Sequence, residues 1–126
     1  MPMNGQFIFR AGAILMAVAV GCGAFGAHGL RGIVTPERLL VWEKAVLYQL
    51  IQGLALTSIG LWGASQASVL NRAILQAAAL LLVGTIIFSG TLYLLVFSDT
   101  AWLGAITPIG GTLIILGWAR AAVAKI

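Results

Sequence analysis

The sequence predicts an all-α integral membrane protein, a four-helix bundle with an interfacial amphipathic segment between helices one and two. Three observations predict it. Hydrophobic residues make up 61% of the 126 residues and charged residues only 8%, whereas a soluble domain runs nearer half apolar and a quarter charged. The chain is one domain long, and a chain this short has too much surface for a greasy soluble core to account for the excess. Four apolar stretches each approach the length of about 20 residues that crosses a bilayer, and the charges fall between them.

The first span covers about residues 7–27. Its 17 residues from Ala11 to Ala27 carry no charge, and Arg10, one turn inside the start, can reach the headgroups along its own stem. The second covers 45–64 and the third 73–97, which is the strongest. Fourteen of the 25 residues from Ala73 to Phe97 are Leu, Ile, Val or Phe. At the per-residue insertion scale these contribute about −4 to −8 kcal/mol. The fourth span covers 101–119 and contains Pro108. Ser98-Asp99-Thr100 is an N-cap cluster joining spans three and four, and Ser65 to Asn71 is a short polar link between two and three. Links this tight force antiparallel neighbours.

The first connection differs. His28 to Thr35 is glycine-rich, and Thr35-Pro36-Glu37 then reads as a helix start, with a capping hydroxyl, proline at the first helical position and an acid in the first turn. Over 36–44, Leu39, Leu40 and Trp42 alternate with Arg38, Glu43 and Lys44. The expectation is an interfacial helix with Trp42 at headgroup depth. The alternative is a second span that is simply long and protrudes.

The net charge is +4, but the bases stand singly between apolar runs, without the basic patch that nucleic acid requires. Arg10, Arg72, Arg120 and Lys125 lie on the side of both termini, against Arg31, Arg38 and Lys44 on the other. Four against three favours cytoplasmic termini.

Cys22 excludes an intramolecular disulfide and any multi-cysteine metal site. Ala19-Val20-Gly21-Cys22 loosely resembles a lipoprotein acylation signal, but with the chain running from Met1 the expected role of Cys22 is a buried small hydrophobe.

Lipid gives no hydrophobic drive between helices, so close approach and hydrogen bonds must hold them. Ala19, Gly23 and Ala27 form a small-residue stripe on the first span. Gly104, Thr107, Pro108 and Gly111 share a face of the fourth, and both faces are expected to pack. Pro108 crowds the carbonyl of Gly104, for which Thr107 or Ser89 is a candidate donor. Tyr48, Gln49 and Gln52 on the second span, with Thr85 and Ser89 on the third, are a candidate polar cluster, either interhelical glue or a polar pathway. His28 is the sole histidine, expected to satisfy carbonyls at the end of helix one.

No catalytic, metal or cofactor constellation appears in this pattern. No Asp or Glu lies well inside a span, and proton-coupled transport needs such a carboxylate.

Four stretches carry a family resemblance: GAFGAHGL (Gly23 to Leu30), YQLIQGLAL (Tyr48 to Leu56), FSGTLYLL (Phe88 to Leu95) and LGAITPIGG (Leu103 to Gly111). They resemble the bacterial membrane family known as domain of unknown function 423, to which the eukaryotic transmembrane protein 256 looks related. The resemblance touches all four spans and implies a four-span inner-membrane protein without an assigned reaction. His28, Thr107 and Pro108 fall in its motifs. Where the family pattern has histidine three residues after Tyr-Gln, this chain has Gln52, so a proton or metal role there would be lost.

The expected function is a non-enzymatic accessory or scaffold subunit of a larger membrane complex, or a homo-oligomer. A transporter or channel for a small neutral or lipophilic solute is the alternative. The expected partners are the lipid bilayer and membrane proteins, with no nucleic acid and no cofactor.

Overall fold

The computed structural model describes residues 3–65, 71–98 and 100–126. They form four helices: α1 (Gly5–His28), α2 (Pro36–Ser65), α3 (Arg72–Phe97) and α4 (Ala101–Ala122). All four are long and apolar enough to cross a membrane. Asn4 caps α1 by accepting from the Phe7 amide at 2.9 Å, and Asn71 caps α3 by accepting from Ile74 at 2.9 Å. Thr35 caps α2 as its sequence predicts, its hydroxyl accepting from the Arg38 amide at 3.3 Å. Thr100 stands at the N-cap of α4 but uses only its carbonyl, which accepts from Leu103. Asp99 of the expected cap cluster and 66–70 of the second link lie outside the described residues.

The interfacial segment is corrected. Residues 36–44 are not a separate element; they are the first turns of a continuous 30-residue α2, about 45 Å long against about 30 Å of hydrocarbon. Nothing between Lys44 and Ala45 breaks the helix, and the apolar side of this stretch has protein to pack on. Trp42 is 5% exposed, in a cluster with Leu30, Val46 and Val96. Its ring is covered by other helices instead of standing exposed. Leu30 anchors the α1–α2 connection, which is tied further by the Gly29 and Leu30 amides donating to Phe25 O. Gly32 makes its turn with φ +81°.

The helices pair as two antiparallel hairpins, α1/α2 and α3/α4, joined along α2/α3. The α1 backbone only brushes α3, and the backbones of α1 and α4 do not approach each other. Each hairpin closes through small residues seven apart. On α1 these are Gly5, Gly12, Ala19 and Gly26, and on α4 Gly110 and Gly117, all buried. A Cβ at Gly5 or Gly60 would overlap the backbone of the facing helix, and one at Gly110 would overlap Phe88 of α3.

The packing faces predicted on α1 and α4 are therefore corrected. Ala19 is fully buried, but Gly23 is half-buried and Ala27 exposed. On α4, Gly104 and Pro108 are exposed and Gly111 is half-buried, with Thr107 at the edge of the seam. The α4 backbone lies against α3 alone, so one face packs, and the heptad of Leu103, Gly110 and Gly117 occupies it.

Candidate functional site

The polar side chains of the spans collect where α2 meets its neighbours. α2 is the one helix with backbone packed against both α1 and α3, so a polar residue on its buried faces meets other helices instead of lipid. Gln49 is 4% exposed and bridges three helices. Its Nε2 donates to Leu15 O of α1 at 2.8 Å, and its Oε1 accepts from the Tyr93 hydroxyl of α3 at 2.7 Å. Trp42 repeats the first of these bonds two turns earlier, donating from Nε1 to Cys22 O at 2.7 Å. Donors seven apart on α2 thus meet carbonyls seven apart on α1. One heptad further, Leu56 and Ile8 replace the polar pair, each 1% exposed in one core cluster.

Gln52, also 4% exposed, accepts from Trp118 Nε1 of α4 at 2.9 Å. Ser89 of α3 donates back to Ala45 O of α2 at 2.8 Å. Aromatic rings close the upper layer: Trp42 lies 4.5 Å from Tyr93, 5.6 Å from Phe97 and 5.7 Å from Phe25 between ring centroids. Inside the second hairpin the Thr91 and Thr107 hydroxyls are 2.7 Å apart. At the helix ends, Arg38 Nη1 donates to Val96 O at 2.8 Å and Arg120 Nε to Gln76 Oε1 at 2.9 Å.

Of the five residues predicted to cluster, the structure unites Gln49, Gln52 and Ser89 on the α2 seams. Thr85 does not join them; it is fully buried, and its hydroxyl returns to Leu81 O of its own helix at 2.6 Å, the intrahelical bond open to any threonine. Tyr48 is 38% exposed and stacks on Phe88 with centroids 4.6 Å apart. The candidate donors to the Gly104 carbonyl are engaged elsewhere, Thr107 with Leu103 O at 3.0 Å and Ser89 with Ala45 O. His28 is exposed at the end of α1, and the carbonyl there is met by the amides of Gly29 and Leu30. Cys22 is half-buried and unbridged.

Sequence reasoning missed Trp42, Tyr93 and Trp118 as hydrogen-bonding partners. The signal was available: an indole N–H or phenol O–H within a span needs an acceptor, and the glutamines and helix carbonyls were the acceptors on offer.

Among the described residues no three His, Cys, Asp or Glu side chains gather as a metal site would require, and no buried side-chain nitrogen or oxygen lacks a partner. The described surface instead holds apolar grooves. One of about 450 Å³ separates α1 from α3, and one of about 320 Å³ lies among Ser58, Trp62, Ile74 and Ile126.

Comparison with known proteins places these features in a group of relatives. The family described as protein of unknown function (DUF423) matches residues 22–111, which include Trp42, Gln49, Gln52, Ser89 and Tyr93. A UPF0382 membrane protein of Staphylococcus aureus (strain bovine RF122 / ET3-1) is 49% identical over 107 residues, covering 85% of this chain and 84% of the relative. Those of Staphylococcus haemolyticus and Staphylococcus saprophyticus are 47% and 45% identical over the same length, with 84% and 86% of each relative covered. No solved structure matches.

Proposed function

The chain belongs to the DUF423 family of membrane proteins of unknown function, and from that premise we propose that it is a non-enzymatic accessory or scaffold component of a membrane assembly. The observation that carries this reading is the destination of the polar groups. Gln49, Gln52, Ser89, Trp42 and Trp118 each hydrogen-bond to another helix, so the protein's own atoms meet groups that a solute-binding site would hold ready for its ligand. Function then rests on the outer faces. α1 and α4 flank the row of helices, and Gly21 and Gly104 have open space beside them, where another transmembrane helix can approach closely.

The proposed setting is the bacterial inner membrane with both termini cytoplasmic. Crosslinking in intact cells, followed by purification from native membranes in mild detergent, tests the role. A discrete assembly, of this chain alone or with another membrane protein, is the expected result. A monomer that carries no protein partner overturns it.

A further inference from the structure

We propose that the groove between α1 and α3 is a binding site for an anionic phospholipid, with an acyl chain along its apolar walls and the headgroup phosphate on Arg10. α1 and α3 run in the same direction, each packed on α2 but barely on each other. The cleft left between them measures about 450 Å³, within the size range of small-molecule sites. Ala11 and Ile14 on one wall face Leu82 and Ile86 on the other, with Phe7 towards the start of α1. This lining is apolar and descends from the first turn of α1 towards the middle of both helices, the path an acyl chain takes from the interface to the bilayer centre.

Arg10 lines the same groove and is its charged group. It stands in the second turn of α1, is exposed, and makes no hydrogen bond or ion pair to any described residue. A guanidinium at that depth is costly unless it reaches an anion or water at the headgroup level, and its planar fork suits a phosphate. Arg120 on the same side differs, since its side chain is held by Gln76. The acyl chain and phosphate are common to both, so the charge of Arg10 is what selects an anionic lipid over a zwitterionic one, whose choline offsets the phosphate. This site is independent of the scaffold role proposed above.

Native mass spectrometry of the delipidated protein in detergent, titrated with phosphatidylglycerol or phosphatidylcholine, tests the site. Phosphatidylglycerol adducts should exceed phosphatidylcholine adducts about fivefold, the factor one well-placed base supplies. Arg10→Gln should abolish that preference and Arg10→Lys keep most of it, while Arg120→Gln leaves it intact. Ala11→Phe fills the groove without touching the charge and should lower adducts of both lipids. It keeps the proposal testable if Arg10→Gln does not fold. Equal binding of the two lipids by the parent protein overturns the proposal. So does an Arg10→Gln loss no larger than that of Arg120→Gln, an unchanged adduct level in Ala11→Phe, or competition by inorganic phosphate alone.

Discussion

The seams within the hairpins and the seam between them are built from different materials. Within α1/α2 and α3/α4, glycines and alanines seven apart let backbone lie on backbone, and dispersion summed over many close contacts is the main attraction. It is joined by the Gln49 and Trp42 bonds to α1 carbonyls and by the Thr91–Thr107 pair. Between the hairpins the backbones approach less extensively and side chains tie the helices, Gln49 to Tyr93, Ser89 to Ala45 O and Gln52 to Trp118. At Gly5, Gly12, Gly60 and Gly110 the first kind of seam has no room for an added atom. The second tolerates rearrangement but specifies which faces meet, because a polar group left unpaired in lipid is penalised. Tight hairpins joined by a directional seam suit a component that must hold its shape without enclosing a cavity.

The largest effect is expected where a glycine seam is overfilled. A Cβ at Gly60 would overlap the Phe9 backbone, so Gly60→Val cannot be absorbed by a rotamer change. We expect a loss of about 3 kcal/mol or more, read as a lower midpoint in SDS-induced unfolding from mixed micelles. Gly110→Val should behave alike in the other hairpin, where Phe88 is in the way. A midpoint like the parent's in both variants would show that these seams open readily.

The seam between the hairpins should respond less. Gln49→Leu keeps the side-chain volume nearly constant while removing the bond from Tyr93 across that seam and, within the first hairpin, the bond to Leu15 O. At about 0.6 kcal/mol per bond in membranes, the expected loss is about 1 kcal/mol. Tyr93→Phe removes one of the two bonds and should cost about 0.6 kcal/mol. A double-mutant cycle between the two sites should return a coupling near that single-bond value. Zero coupling would mean that the hydrogen bond contributes no stability and that the seam is held by packing around Trp42.

This contrast explains which features were legible in the sequence. The number of helices and the helix start at Thr35-Pro36 follow from runs of apolar residues and from capping chemistry, local signals that lipid makes strong. The packing faces do not, because polarity no longer marks the buried side of a helix when the solvent is itself apolar. With 16 glycines in the chain, more than one small-residue stripe is available on a helix. The stripe through Gly23 and Ala27 competes with the heptad through Gly12, Ala19 and Gly26. Only a neighbour's position decides between them. The burial of Trp42 was not legible for a related reason. A tryptophan near the end of a span belongs at the interface by default, but the Cys22 carbonyl gives its N–H a partner in the core. Gln49 and Gln52 were legible as important because they are costly in lipid. Their partners were not, since those are set by the α2 contacts.

The smallest effect is expected outside both kinds of seam, and it is the sharpest check on the heptad assignment. Gly104 and Gly110 sit on one helix, six residues apart, and both belong to glycine-containing stripes readable from the sequence. Gly104 has nothing within 4 Å of a built Cβ, whereas Gly110 meets backbone atoms of Gly84 and Phe88. Gly104→Ala therefore adds a methyl to open space and replaces the poorer helix former, a gain of up to about 1 kcal/mol in an isolated helix. Its unfolding midpoint should match or slightly exceed the parent's, while Gly110→Ala lowers it. The reverse order would return α4 to the face through Gly104, Pro108 and Gly111 and rotate it against α3. If Gly104→Ala leaves the monomer intact but weakens a larger assembly isolated from membranes, the open face of α4 is where that assembly forms.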